Sequence, residues 1–242
     1  MNHSNKHIIL AVNLGRTDYG YAWNLQRKVF ELRRSGCISD VLLLNEHHHV
    51  YTIGKNGDRN HLLAAREELR ESGVEVYDID RGGDVTYHGP GQLVGYPILD
   101  LHGYYLDIHR YLRDLEEVII RTLAEYGIIA HRDEGFTGVW VGSEKVAAIG
   151  VRVGRWVTMH GFALNVNTDL SHFDRIIPCG IFHKGVTSLR RLLGRHVPID
   201  EVSGKLTECF SRVFGVDTCV RQPEEFLRLL QNPQNEPIEC LQ

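Results

Sequence analysis

The sequence predicts a mixed α/β fold: a mixed β-sheet with helices packed on it, in one domain over residues 1–231, with a tail over 232–242. Two patterns predict it. In the first half, short apolar runs alternate with amphipathic stretches, so strands and helices are intermixed. In the second half, residues 137–167 read as an antiparallel meander, TGVWV, KVAAIGVRV and WVTMHGFALNV, broken at Gly142-Ser143 and Gly154-Arg155. No repeat and no Gly/Ser linker divides the 242 residues.

In order, 7–14 (HIILAVNL) reads as a buried strand. Residues 17–36 form an amphipathic helix with Ala22, Leu25, Val29 and Leu32 on one face, and Thr17 or Asp18 as cap. Strands follow at 40–46 and 50–54, a charged helix at 61–72, and a strand at 74–79. Residues 92–101 form another strand, in which Pro97 marks a bend or an edge position. The helix at 107–126 has a single apolar stripe, Ile108, Tyr111, Leu112, Leu115, Val118, Ile119 and Leu123. Asp107 caps it and Gly127 ends it. Residues 168–190 read as irregular; helices are expected at 200–214 and 223–231, the second with Pro223 in its first turn, followed by a tail expected to be poorly ordered.

Composition narrows the function. Net charge is −4, which does not favour a nucleic-acid partner. No apolar run reaches the ~20 residues of a membrane helix, and the N-terminus has neither a signal-peptide nor a transit-peptide layout. This start and the five unpatterned cysteines predict a cytoplasmic protein. His47, His48 and His49 are consecutive, so on a strand they point to alternate faces, and H-E-x-x-H is absent; no metal site is expected.

The segment from Arg81 to Leu101 concentrates the chemistry. Gly82, Gly83, Gly89 and Gly91 surround a polar island, and glycines permit close approach to the backbone. Tight turns alone do not call for Arg81, Thr86, Tyr87, His88 and Gln92 between them. Among the cysteines, Cys37, Cys209 and Cys219 sit beside apolar periodic segments and read as core, and Cys240 is in the tail. Cys179, between Pro178 and Gly180 in an irregular stretch, lies in no periodic apolar pattern and is a candidate nucleophile. A thiol of pKa ~8.5 is only ~3% thiolate at pH 7, so it needs a partner. Lys145, at the start of a buried strand, is one candidate; His88 and His160 are others, and spacing alone does not choose.

Four stretches resemble the lipoyl(octanoyl) transferase family: EHHHVYTIGKNGDRNHLL at 46–63, RGGDVTYHGPGQLVGYP at 81–97, EKVAAIGVRVGRWVTMHGFALNVN at 144–167 and PCGI at 178–181. They occur in the family's order between about residues 10 and 210; the part beyond 210 resembles it less. The resemblance implies a fold shared with biotin and lipoate protein ligases and the class II aminoacyl-tRNA synthetases. It implies an acyl thioester on Cys179, assisted by Lys145. Substrate contacts would come from Arg81, Gly82, Gly83, Asp84, Val85, Thr86, Tyr87 and His88, from Ala148, Ile149 and Gly150, and from Gly161, Phe162 and Ala163. Tyr87 and His88 would orient the thioester. The implied donor is octanoyl-acyl carrier protein. The implied acceptors are lysines on lipoyl domains of 2-oxoacid dehydrogenase complexes and on the glycine-cleavage H protein. No cofactor is implied, because thioester exchange needs no nucleotide. An ATP-dependent lipoate ligase and a non-catalytic carrier-binding module are the other readings. The basic run Lys184, Arg190, Arg191 and Arg195 is either a docking face for an acidic carrier protein or an ordinary solvated surface.

Overall fold

The computed structural model describes residues 7–177 and 185–233. Among these the chain runs β1 (Ile8–Thr17), α1 (Tyr19–Arg34), β2 (Asp40–His47), β3 (Val50–Ile53), α2 (Arg66–Glu71), β4 (Glu75–Asp78), β5 (Val85–His88), β6 (Gln92–Ile98) and α3 (Ile108–Ala124). It continues with β7 (His131–Asp133), β8 (Phe136–Val141), β9 (Glu144–Gly154), β10 (Val157–Asn165), α4 (Leu189–Leu193), α5 (Ile199–Phe214), β11 (Asp217–Arg221) and α6 (Pro223–Leu229).

Eight strands form one mixed sheet, β11-β1-β2-β6-β10-β9-β8-β7, and β4-β3-β5 form a smaller one. β1 is parallel to β2 and β11, and the ladders from β2 to β7 are antiparallel. Alternation along the strands gives the large sheet two apolar faces. Leu42, Leu44, Leu93 and Leu164 pack with Tyr111, Leu115 and Ile119 of α3 and Phe210 of α5. Leu43, Val94, Tyr96 and Ala163 pack with Ala22, Leu25 and Val29 of α1 and Phe226 of α6. Each such leucine or phenylalanine contributes about 1.5–3 kcal/mol by leaving water, before entropy is counted.

The α3 ends follow the sequence, with Asp107 accepting from the Arg110 N–H at 3.0 Å and Gly127 at φ +71°. Its stripe does not lie wholly in the core. Ile108 is 39% exposed, and both Ile108 and Leu112 line a cavity, because the first turn of α3 extends past the core.

Several expectations are corrected by tertiary contacts. Pro97 is central, paired with Leu42 of β2, and its Cδ faces β10 at Gly161. It is tolerated because the β6–β10 ladder stops at Gly95–Phe162, beyond which the Thr158 hydroxyl donates to Pro97 O and accepts from the Leu99 N–H. The expected 61–72 helix is a 3-10 turn, Arg59–His61, and a short α2. Between them Leu62 bridges Ile176 and the Leu63 N–H donates to Arg175 O, which breaks the helix. The second meander turn is one residue later, with Arg155 at φ 52° and Trp156 at φ 66°. Polar β11 and β7 carry no apolar alternation; their pairing partners, β1 and β8, define them. Cys209 and Cys219 are buried, whereas Cys37 is half-buried, with its sulfur 3.1 Å from the Ser35 hydroxyl. The tail beyond 233 lies outside the described residues.

Candidate active site

A cavity of about 520 Å³ lies against the large sheet, bordered by Tyr19 of α1, the glycine-rich loop, and Ile108 and Leu112 of α3. Its floor follows from strand register. Val94, Ala163 and Ala148 stand in one cross-strand row, and Gly161 and Gly150 in another. Four of these five positions are alanine or glycine, so the sheet there lacks the side chains that would fill the hollow. Apolar walls come from Val85, Ile149, Val151, Phe162 and Phe173, and from Ile108, Leu112 and Phe136 at the α3 side. The volume lies in the ~300–1,000 Å³ range of small-molecule sites.

The glycine-rich loop closes one side. Arg81 is buried beneath it, donating from Nη2 to Thr52 O, Thr52 Oγ1 and Asp84 O at 2.8–2.9 Å and from Nη1 to Gly82 O at 3.0 Å. These bonds make Arg81 a clamp on its own loop. The Gly82 N–H donates to Val151 O at 2.9 Å, fixing the loop to β9. The Asp84 carboxylate is 2.5 Å from His61 Nδ1 and accepts from the Asp58 N–H at 3.2 Å. Thr86 and His88 line the cavity, and β5 alternation turns Tyr87 away. Tyr87 is instead fully buried, with its hydroxyl 2.7 Å from His49 Nδ1 and its ring stacked on His172 at 4.6 Å.

Two buried histidines face the cavity. Burial pushes the His88 imidazole down to about 3, with His47 and Arg81 adding to the effect and the Gln92 hydrogen bond opposing it. His160 is also lowered by burial, against the pull of Asp80, whose Oδ1 is 2.7 Å from His160 Nε2. Asp80 also accepts from Arg152 at 2.6 Å and is held below the usual carboxylate range, chiefly by the His160 hydrogen bond. His160 has φ 60°, a sparsely populated conformation for a side chain with a Cβ, and its N–H donates to Gln26 Oε1.

Lys145 is half-buried at the start of β9, the end away from Arg152 and His160. Its Nζ donates to Thr137 O at 3.4 Å and lies 4.8 Å from the Trp140 ring centroid. Its backbone holds the chain after residue 184: the Lys145 N–H donates to Gly185 O, and the Thr187 N–H donates to Lys145 O. On the other flank the Ile177 N–H donates to His61 O at 2.8 Å. Cys179, Gly180 and Lys184 lie outside the described residues.

The cavity thus gathers Lys145, Arg81, Gly82, Gly83, Asp84, Val85, Thr86, His88, Ala148, Ile149, Gly150, Gly161, Phe162 and Ala163, leaving Tyr87 outside. Sequence reasoning missed Tyr19, Tyr96, Ile108, Leu112 and the Asp80 partner of His160. Asp80 precedes the glycine loop and could have been read from that; Tyr19 gave no signal, since only folding brings α1 over the sheet. Arg190, Arg191 and Arg195 are exposed on or just after α4, with Arg191 3.4 Å from Glu144.

The family model described as the lipoyl protein ligase A/B catalytic domain matches residues 18–211. An octanoyltransferase of Rubrobacter xylanophilus is 56% identical over 203 residues, covering 83% of this chain and 91% of the relative. One from Flavobacterium johnsoniae is 52% identical over 222 residues, covering 85% and 96%. Among solved structures, P. falciparum LipL1 in complex with lipoate is similar at TM-score 0.72 and 14% identity, over 93% of this chain and 69% of that one. A bipartite lipoate protein ligase from Thermoplasma acidophilum is similar at TM-score 0.68 and 18% identity, over 97% and 100%. At these identities the structures share the fold.

Proposed function

The chain belongs to the lipoyl protein ligase A/B catalytic-domain family, and on that premise we propose that it is an octanoyltransferase of lipoate biosynthesis. The donor is octanoyl-acyl carrier protein, the acceptor a lysine on a lipoyl domain, and the reaction runs in the cytoplasm. The Cys179 sulfur attacks the donor thioester, an exchange of like for like that needs no ATP. The acceptor amine then attacks the acyl-enzyme, and the amide forms downhill.

Lys145 serves both steps in this reading. Its ammonium favours the Cys179 thiolate in the free enzyme. Once the sulfur is acylated the counter-charge is gone, and the half-buried amine gives up its proton more readily and can take one from the acceptor. The octanoyl chain lies on the alanine and glycine floor.

One observation carries the reading. Lys145 lines an apolar-floored cavity and, through Gly185 and Thr187, holds the chain that follows the Cys179 segment. The test is intact-protein mass spectrometry after mixing with octanoyl-acyl carrier protein without ATP. Wild type should gain one octanoyl mass and Cys179→Ala none. Normal transfer by Cys179→Ala would overturn the covalent route. Product from free octanoate plus ATP would instead assign a ligase.

A further inference from the structure

A buried chain of hydrogen bonds crosses the sheet at the Lys145 end of the cavity. The Thr187 carbonyl, fixed by its own N–H to Lys145 O, accepts from Asn165 Nδ2 at 3.1 Å. Asn165 Oδ1 accepts from Gln92 Nε2 at 2.9 Å, and Gln92 Nε2 also donates to Tyr87 O at 3.2 Å. Gln92 Oε1 lies 2.8 Å from His88 Nδ1. Gln92, Asn165 and Thr187 are at most 4% exposed, so water does not substitute along the chain.

Two backbone carbonyls decide every proton in it, because a carbonyl can only accept. Thr187 O requires the amide nitrogen of Asn165, which turns Oδ1 to Gln92. Tyr87 O and Asn165 Oδ1 then both require the amide nitrogen of Gln92, which turns Oε1 to His88. An oxygen facing Nδ1 requires a proton there. Reversing either amide would set oxygen against oxygen in a dry interior and leave buried acceptors unsatisfied.

We propose that Asn165 and Gln92 are positioning residues that fix His88 as its Nδ1–H tautomer. The Nε2 lone pair is then free to accept a hydrogen bond from the N–H of the attacking amine. The inference rests on the octanoyl-transfer reading for the identity of that amine, while the tautomer follows from the hydrogen bonds alone. His88 lines the cavity, and no described residue makes a hydrogen bond to its Nε2. Its ring is stacked on Tyr19 at 5.9 Å and lies 5.8 Å from His47, with Arg81 and His160 the other charged or titratable groups near it. Burial keeps the ring neutral, which preserves the lone pair. An octanoyl chain offers no N–H or O–H to this acceptor, whereas the attacking amine does. In the transfer the amine nitrogen bonds to the carbonyl carbon and the C–S bond breaks with its electron pair on sulfur. The proton leaving nitrogen passes through Lys145 to that sulfur. His88 gains and loses no proton.

The test is two-bond ¹H–¹⁵N correlation on histidine-labelled protein, which reads the tautomer without any activity. Wild-type His88 should show a protonated Nδ1 and an unprotonated Nε2 at neutral pH; a protonated Nε2 overturns the inference. In Gln92→Leu the single tautomer should be lost. In single turnover from preloaded acyl-enzyme, that variant should slow transfer to the lipoyl-domain lysine about tenfold or more, and slow acylation less. Equal slowing of both steps overturns the role assigned to the amine. Failure of wild type to acylate at all would sink the octanoyl-transfer reading while leaving the tautomer result standing.

Discussion

Gly150 faces the carbonyl of Gly82 so closely that a Cβ at 150 would lie 2.8 Å from that oxygen and 3.1 Å from Arg81 Cδ. The glycine on β9 is therefore what lets the loop settle on the cavity.

Gly150→Ala should push the loop outward, since its two contacts are a backbone oxygen and a side chain clamped by four hydrogen bonds. A stability loss of about 1–3 kcal/mol is expected, as for other overpacked sites. Thermal unfolding measures this, and the donor KM should rise in the same variant. A KM and Tm equal to wild type would mean the loop yields freely.

Ala148→Leu places a branched side chain on the cavity floor beside Ala163 and Val94. Octanoyl transfer should fall by about 10–200-fold in kcat/KM, the range for a misfit of a methylene or so in an apolar pocket. Hexanoyl or butanoyl donors should lose less. Equal losses across chain lengths would show that the acyl chain does not lie on this floor.

Lys145→Ala should slow both half-reactions for different reasons. Acylation at neutral pH should fall and partly recover at higher pH, because hydroxide removes the thiol proton that the ammonium no longer helps release. Transfer from preloaded acyl-enzyme should fall by about 10²–10⁴-fold if Lys145 is the general base. Slow acylation with wild-type transfer would restrict Lys145 to the first step.

Reversing Arg190 and Arg191 to Glu should raise the KM for an acidic carrier-protein donor and flatten its salt dependence. Both side chains are exposed, so folding should be little affected. An unchanged KM at low salt would leave the run as ordinary solvated surface.

Acid should destabilise the protein through its buried histidines. Burial lowers His47 to about 4 and His88 to about 3, against 6.5 when unfolded. Between those values and pH 6.5 the unfolded chain holds more protons than the native one, so unfolding takes up protons and stability falls as pH falls. Each ring contributes a slope of at most about 1.4 kcal/mol per pH unit. Glu117, lowered chiefly by its hydrogen bond from Arg132, adds loss of the same sign below its unfolded pKa. Tm measured from pH 7 to pH 4 should fall steadily. Replacing His47 with Gln should shallow that slope, and a pH-independent Tm would contradict the buried neutral rings.

Local sequence determined the elements whose signals are local. The α3 cap at Asp107, its Gly127 stop, and the three meander strands depend on nearest neighbours and on periods of 3.6 and 2 residues, and apart from the later second turn they stand where those periods put them. The glycine loop was legible because polar groups between glycines are rarely needed for a turn alone. Tertiary structure decided what depends on residues far apart in the chain. Pro97 could enter the centre of the sheet because the β6–β10 ladder ends at Gly95–Phe162, so no ladder bond to β10 is asked of its missing N–H, while Thr158, sixty-one residues on, bonds its carbonyl. Ile108 and Leu112 match the helical stripe but line the cavity, since periodicity reports that a face is apolar and not what covers it. Tyr87 and His88 are neighbours in one motif, yet strand alternation puts them on opposite sides of β5. The proton on His88 is set by carbonyls at Tyr87 and Thr187, a constraint that exists only once Asn165 and Gln92 stand side by side on paired strands.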